Sequence, residues 1–275
     1  MKSSSRAYGI LAASVGLCVA VAWAPPMGAQ TPGEKDGEAA IDADANNPLA
    51  KVQAFNLHDY YVPTMSEAPD QTANTFWLRY AQPFGKWLVR GSLPVSRVPA
   101  GDGTTTSGLG DFNVFGAYLF DSKPGVSIGL GPQLTAPTAT ADETGTGKWQ
   151  GGLAAVFFDA TSPAVQWGGL VTWQADFAGD ADRTGTNVLA VQPFYFVQLG
   201  KGLYVRSTAV MAFDLENGTY NVPVGLGIGQ VIPTKGAVFN VFVEPQFTVL
   251  SHGARQPELQ VFVGFNTQFL KKQQL

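Results

Sequence analysis

Residues 238–250, VFNVFVEPQFTVL, separate cleanly by parity. The odd positions are Phe239, Val241, Val243, Pro245, Phe247 and Val249, whereas the even ones include Asn240, Glu244, Gln246 and Thr248. A period of two predicts a β-strand with one apolar and one polar face. The final segment repeats it, with Leu259, Val261, Val263, Phe265, Thr267 and Phe269 set against Glu258, Gln260, Phe262, Gly264, Asn266 and Gln268. Upstream, 147–158, 165–177, 202–214 and 219–231 carry the same alternation, and weaker versions lie at 75–84, 86–95, 110–120, 125–136 and 187–199. With a first segment at 50–62, twelve candidate strands emerge.

The connections alternate as well. Gly85-Lys86, DSKPG (121–125), DATSP (159–163), GKG (200–202) and PTKG (233–236) are short, whereas 63–74, 96–108, 137–147 and 178–187 are longer and mostly more acidic. Short turns at one end, long loops at the other and an even strand count predict an all-β fold. The expected form is a transmembrane antiparallel up-and-down β-barrel of about 12 strands with short periplasmic turns and longer outer loops. The competing reading is a secreted soluble sandwich or propeller, whose strands also alternate. Strand length argues against it, because soluble strands average about five or six residues and tilted membrane strands need about 9–11. So does the polar face, which is Gln, Asn, Thr and Gly with isolated charges rather than the Lys and Glu of a soluble surface.

If the apolar face meets lipid, parity sends the polar one into the lumen. The candidate lumen-lining residues are Arg79, Arg90, Asp111, Gln133, Lys148, Gln150, Gln174, Asp176, Arg206, Glu244, Gln246, Glu258 and Gln260, with Asn113, Gln166 and Asn240 beside them. An Arg or Lys facing lipid at the midplane would cost about 2–4 kcal/mol. Both signs are present, so Glu244 and Glu258 are expected to pair with inward Arg or Lys, or with water. Pro132, Pro193, Pro223 and Pro245 interrupt four of the strands. Each lacks a ladder donor, and bulges are expected at or beside them.

Composition adds the compartment. The first residues have a basic start at Lys2 and Arg6, an apolar run over about 7–24 and small residues after it, the layout of a secretory signal peptide over 1–29 with cleavage somewhere in 24–30. An uncleaved membrane anchor is the competing reading. Removal would take two cations and no acid, moving the formal charge from −4 to −6, and would also take Cys18, the single cysteine. A chain without thiols has no disulfide framework and no Cys-based metal site or nucleophile. Mild acidity and the absence of a Lys/Arg cluster exclude nucleic acid as the expected partner. Residues 30–49, acidic and poor in aromatics, are expected to be a flexible periplasmic lead-in to a barrel over 50–269, with 270–275 a C-terminal tail.

The runs NPLA (47–50), QTANTFWLRYAQPFGKWLVRGSLPVS (71–96), GLGDFNVFGAYLF (108–120), GPQLTAPTA (131–139), GKWQGGLAAVFF (147–158), NVPVGLGIGQV (221–231), FNVFVEPQFTVL (239–250) and QPELQVFVGFN (256–266) resemble one family. It is the outer-membrane barrel group known as MetA-pathway of phenol degradation, and the likeness spans roughly 47–269. The resemblance implies the cell outer membrane of a Gram-negative bacterium and a transport role for small, hydrophobic or aromatic compounds. It supplies no catalytic residues. The alternation ending at Phe269 resembles the aromatic signal read by barrel-insertion machinery, although LKKQQL follows it.

The chemistry is sparse. His58 is expected near the rim of the first strand and His252 beside Ser251 in an outer loop; a nucleophile, base and orienting group must converge within about 3 Å, which adjacent Ser-His residues seldom achieve. Asp142-Glu143 and Asp180-Asp182 could offer carboxylates to calcium but lack a fixed ligand spacing. No enzyme activity, cofactor or metal is expected. The expected partners are outer-membrane lipid, the insertion machinery and a small-molecule solute. The function read from the sequence is a narrow conduit, with a structural, adhesive or partner-binding barrel as the alternative and a lipid- or peptide-modifying enzyme behind both.

Overall fold

The computed structural model describes residues 45–100 and 103–270; the expected signal segment, residues 30–44 of the lead-in and 271–275 of the tail lie outside the described residues. Twelve antiparallel strands form one closed barrel. They are β1 (Gln53–Met65), β2 (Ala73–Phe84), β3 (Trp87–Pro99), β4 in two pieces (Thr105–Leu109 and Phe112–Leu119), β5 (Val126–Ala136) and β6 (Lys148–Asp159). The second half comprises β7 (Val165–Gly179), β8 (Asn187–Gly200), β9 in two pieces (Leu203–Ser207 and Met211–Asp214), β10 in two pieces (Thr219–Gly225 and Gly227–Pro233), β11 (Ala237–His252) and β12 (Pro257–Phe269). Each strand pairs with its neighbours in sequence, and β1 pairs with β12 from Gln53↔Phe269 to Met65↔Pro257. Closure leaves no edge strand, so backbone donors and acceptors are satisfied within the wall, as lipid requires.

The ends differ as expected. Connections 85–86, 120–125, 160–164, 201–202 and 234–236 lie at the terminal end, beside Gln53 and Phe269. Connections 66–72, 100–104, 137–147, 180–186, 215–218 and 253–256 form the loop end. These are shorter than the alternation suggests: β3 runs on to Pro99 and β1 to Met65, because pairing with a neighbour continues where the apolar pattern has already faded.

The outer surface is apolar. Leu226 is 70% exposed, Phe177 66% and Leu250 62%, with Trp149, Trp167, Trp173, Phe84 and Tyr195 also outward. Contiguous exposure on this scale is untenable in water. It makes a lipid-facing belt with aromatic residues toward both rims, and it excludes the soluble sandwich.

The prolines behave differently from expectation. Only Pro223 coincides with a bulge, the register against β11 shifting between Val222↔Leu250 and Pro223↔Thr248. At Pro132 the ladder passes from Phe115↔Gln133 to Tyr118↔Leu130 in constant register. Pro193 is level with the gap between the pieces of β9, and Pro245 is level with Leu226, between the pieces of β10. A missing N–H removes a bond without demanding an extra residue, so at Pro193 and Pro245 the neighbouring strand breaks and the register holds. The Leu226 amide still donates to the Pro245 carbonyl at 3.1 Å.

Candidate functional site

The lumen divides into three levels. At the terminal end it is largely apolar. Leu88, Phe115, Ala117, Ala154, Val156, Phe158, Phe194, Phe196, Tyr204 and Val231 form one buried cluster, and Ala45 and Leu49 complete it. Leu49 is only 2% exposed, its methyls filling the space that a side chain at Gly129 would need. This segment belongs to no strand. It is tethered by side chains instead: Asn47 Nδ2 donates to Ser127 Oγ (3.1 Å), and Asn240 Nδ2 donates to Asn46 Oδ1 (3.0 Å) while its Oδ1 accepts from Tyr204 (2.6 Å). Residues 45–49, expected to lead in from outside, therefore sit inside the barrel mouth, because Leu49 and Ala45 find an apolar site there. Between this segment and the 120–125 turn lies an open pocket of about 420 Å³.

The middle level carries the charge. Glu244 is fully buried and its carboxylate accepts four hydrogen bonds, from Arg206 Nε (2.7 Å), the Thr208 hydroxyl (2.8 Å), the Thr208 amide (2.8 Å) and Gln246 Nε2 (3.0 Å). The breaks in β9 and β10 make room for it: Thr208 reaches Glu244 from the gap in β9, and a Cβ at Gly225 would lie 2.2 Å from Glu244 Oε1. The expected pairing of Glu244 with an inward Arg is thus present. Glu258 has no Arg or Lys partner; it sits exposed at the loop end and accepts from Thr64 Oγ1 at 3.2 Å.

Across the lumen, Arg79 Nη1 lies 2.7 Å from His58 Nδ1, and His58 Nε2 lies 2.8 Å from Asn266 Oδ1. A guanidinium can only donate, so Nδ1 accepts and Nε2 carries the proton that goes to Asn266. His58 is therefore neutral and buried in the lumen, not a rim residue, because even positions of β1 point inward along its whole length. Arg206 stacks on Phe242 with its guanidinium carbon 3.4 Å from the ring centroid, Arg90 on Phe115 at 4.4 Å and Arg79 on Trp77 at 4.7 Å. A cavity of about 150 Å³ lies among these groups.

The loop-end level is a polar network. Gln260 donates to Gln246, Gln174 to Gln150, Gln150 to Thr146 and Thr135 to Gln174, while Gln133 donates to the Trp173 carbonyl. Asp111 accepts from the Ala139 and Thr146 amides, and Asp176 from the Thr186 amide, so both fasten loops and do not line an open passage. The 137–147 connection folds across β4 and is clamped by Arg183, whose guanidinium also faces Asp142 at 3.6 Å. Lys148, Gln150 and Gln166 are buried, Gln166 at the terminal end bonded to the Pro163 carbonyl. His252 stacks on Tyr220 at the loop end.

The charged middle level thus unites Arg79, Arg90, Arg206 and Glu244 from the parity set. Parity alone did not single out His58, Tyr60, Thr208, Phe242, Phe262 or Asn266. AAVFF (154–158) and FYF (194–196) are apolar at every position, so one face of each meets lipid and the other an apolar lumen, although the runs say nothing of their height.

Among solved structures, an outer membrane channel from Pseudomonas putida F1 superposes with a TM-score of 0.61 at 13% identity, over 80% of this chain and 97% of that one. The NanC porin superposes with a TM-score of 0.51 at 8% identity, over 79% of this chain and 100% of the porin. The fold is that of an outer-membrane barrel. No family model matches the sequence, and no curated protein does.

Proposed function

We propose that this chain is an outer-membrane conduit for small solutes whose terminal, periplasmic end is stopped by its own residues 45–50. The observation that carries the reading is the nature of the stop: Leu49 packs in the lumen from a segment outside the wall's hydrogen-bond ladder, with the middle cavity on one side and an open pocket at the barrel mouth on the other. A wall-borne obstruction would be permanent, whereas a side-chain-tethered one can leave without opening the barrel. The name of the Pseudomonas channel and the resemblance to the MetA-pathway group both support transport. The outward apolar belt supports lipid as the surrounding partner, and the strand ending at Phe269 supports delivery by the insertion machinery.

Planar-bilayer recording of refolded protein tests the reading. Wild type should show a small conductance, and Leu49→Asp, which sets a carboxylate among Ala117, Gly129 and Leu119, should raise it several-fold. Silence from both proteins would refute the conduit and favour the second reading, a closed structural barrel, which the packed apolar level also fits.

A further inference from the structure

The middle cavity is lined by Arg79 and Arg90 from β2 and β3 and by phenylalanine rings from β4, β8, β11 and β12, with Arg206 stacked on Phe242 and paired with Glu244. Arg79 is directly opposite Ser92, and Arg90 opposite Ala81, so the two arginines are diagonal neighbours on the inner face of β2 and β3. Diagonal positions lie about 7–8 Å apart, which lets two guanidinium forks converge on one small anion. Among the described residues neither has a carboxylate within salt-bridge distance; the ion pairs are Lys86–Asp121, Arg183–Asp142 and Arg206–Glu244. The Nε atoms of Arg79 and Arg90 are both buried and unpartnered. Glu244, the acid of this level, has both its oxygens occupied, and Asp111, Asp176 and Glu258 are committed near the loop end. Two half-buried lumenal guanidiniums, each with a buried unpartnered Nε and no counter-charge, leave a site that an anion completes, and the planar fork matches a carboxylate in particular.

The phenylalanine rings decide what the carboxylate is attached to. Phe194, Phe196, Phe242 and Phe262, with Leu170 and Val156, close the cavity. A cavity of about 150 Å³ has room for a molecule of benzene size. We propose that this cavity is a binding site for a small organic monocarboxylate, its carboxylate held between Arg79 and Arg90 and its compact apolar body against the phenylalanine rings. The inference rests on the conduit reading for its biological use, while its chemistry stands on the cavity alone.

Titration calorimetry on the refolded full chain, with benzoate as the probe and benzyl alcohol as its neutral counterpart, tests it. Benzoate should bind wild type, benzyl alcohol should not, and Arg79→Gln or Arg90→Gln should weaken benzoate about tenfold or more, the loss expected for a charge-assisted bond. Arg90→Lys keeps the charge without the fork and should fall between; it serves as the folded reference if a glutamine variant loses its heat-modifiable gel mobility. Chloride competing with benzoate at equal concentration would reduce the site to a generic anion site and overturn the proposal, as would equal binding of benzyl alcohol, no benzoate binding to wild type, or an unaltered Arg90→Gln. A conducting channel that binds no benzoate sinks this site and leaves the conduit; binding without conductance does the reverse.

Discussion

Glu244→Gln is the sharpest perturbation of the lumen because it removes a charge and almost no volume. The carboxylate now accepts from Arg206 Nε and the Thr208 hydroxyl on Oε2, and from the Thr208 amide and Gln246 on Oε1. A glutamine can place its oxygen on one side only. Turned toward Arg206, its NH₂ confronts the Thr208 amide and the Gln246 NH₂, donor against donor, and the Thr208 amide is left buried without an acceptor. Turned the other way, it leaves Arg206, which is 6% exposed, as an uncompensated cation. Breaking a buried ion pair from one side costs about 3–5 kcal/mol. Stacking on Phe242 and water in the adjoining cavity soften this toward the lower end, about 3 kcal/mol, or roughly a hundredfold in the unfolding equilibrium. Urea titration of protein refolded into lipid vesicles, followed by tryptophan fluorescence, measures it. A double-mutant cycle with Arg206→Gln should return a coupling of about 1–3 kcal/mol. A single-mutant change below about 0.5 kcal/mol, or zero coupling, would refute the reasoning.

Gly131→Ala should destabilise the barrel by about 1–3 kcal/mol, since the new methyl would lie 1.8 Å from the Gly116 carbonyl oxygen and β4 would have to shift; an unchanged midpoint of heat modification would contradict this. At the terminal end, Lys86 Nζ lies 2.5 Å from Asp121, and this hydrogen bond holds the Asp121 carboxyl below its ordinary value and the Lys86 ammonium above its own. The Asp121 contribution is present above about pH 3.9 and is lost as pH falls through the lowered value; that of Lys86 is present below about pH 10.4 and is lost as pH rises through the raised one. Lys86→Gln should return the Asp121 titration, read by carbon NMR, to the ordinary carboxylate range.

Period-two alternation in twelve segments determined the strand count, the barrel class and the sense of each face, because side-chain direction in a strand is fixed by backbone geometry and needs no knowledge of neighbours. The Glu244-Pro245 pair illustrates both sides of that boundary. Parity was enough to turn the carboxylate inward and the proline outward. It was silent on why a fully buried carboxylate is tolerable, which depends on Thr208 and Arg206, 36 and 38 residues away in the chain. At Pro245 the expected bulge is absent, and the missing donor is accommodated by a break in the neighbouring strand β10, which only the paired structure shows. The inward apolar level and the seating of Leu49 also lay beyond a one-strand reading. Alternation distinguishes in from out but carries no height, and only closure of the barrel brings Phe115, Phe158, Phe194 and Phe196 to one level. The sequence alone thus determined the wall, through a periodicity that each strand carries by itself; tertiary structure decided the contents of the lumen, because those depend on which distant inward residues closure makes neighbours.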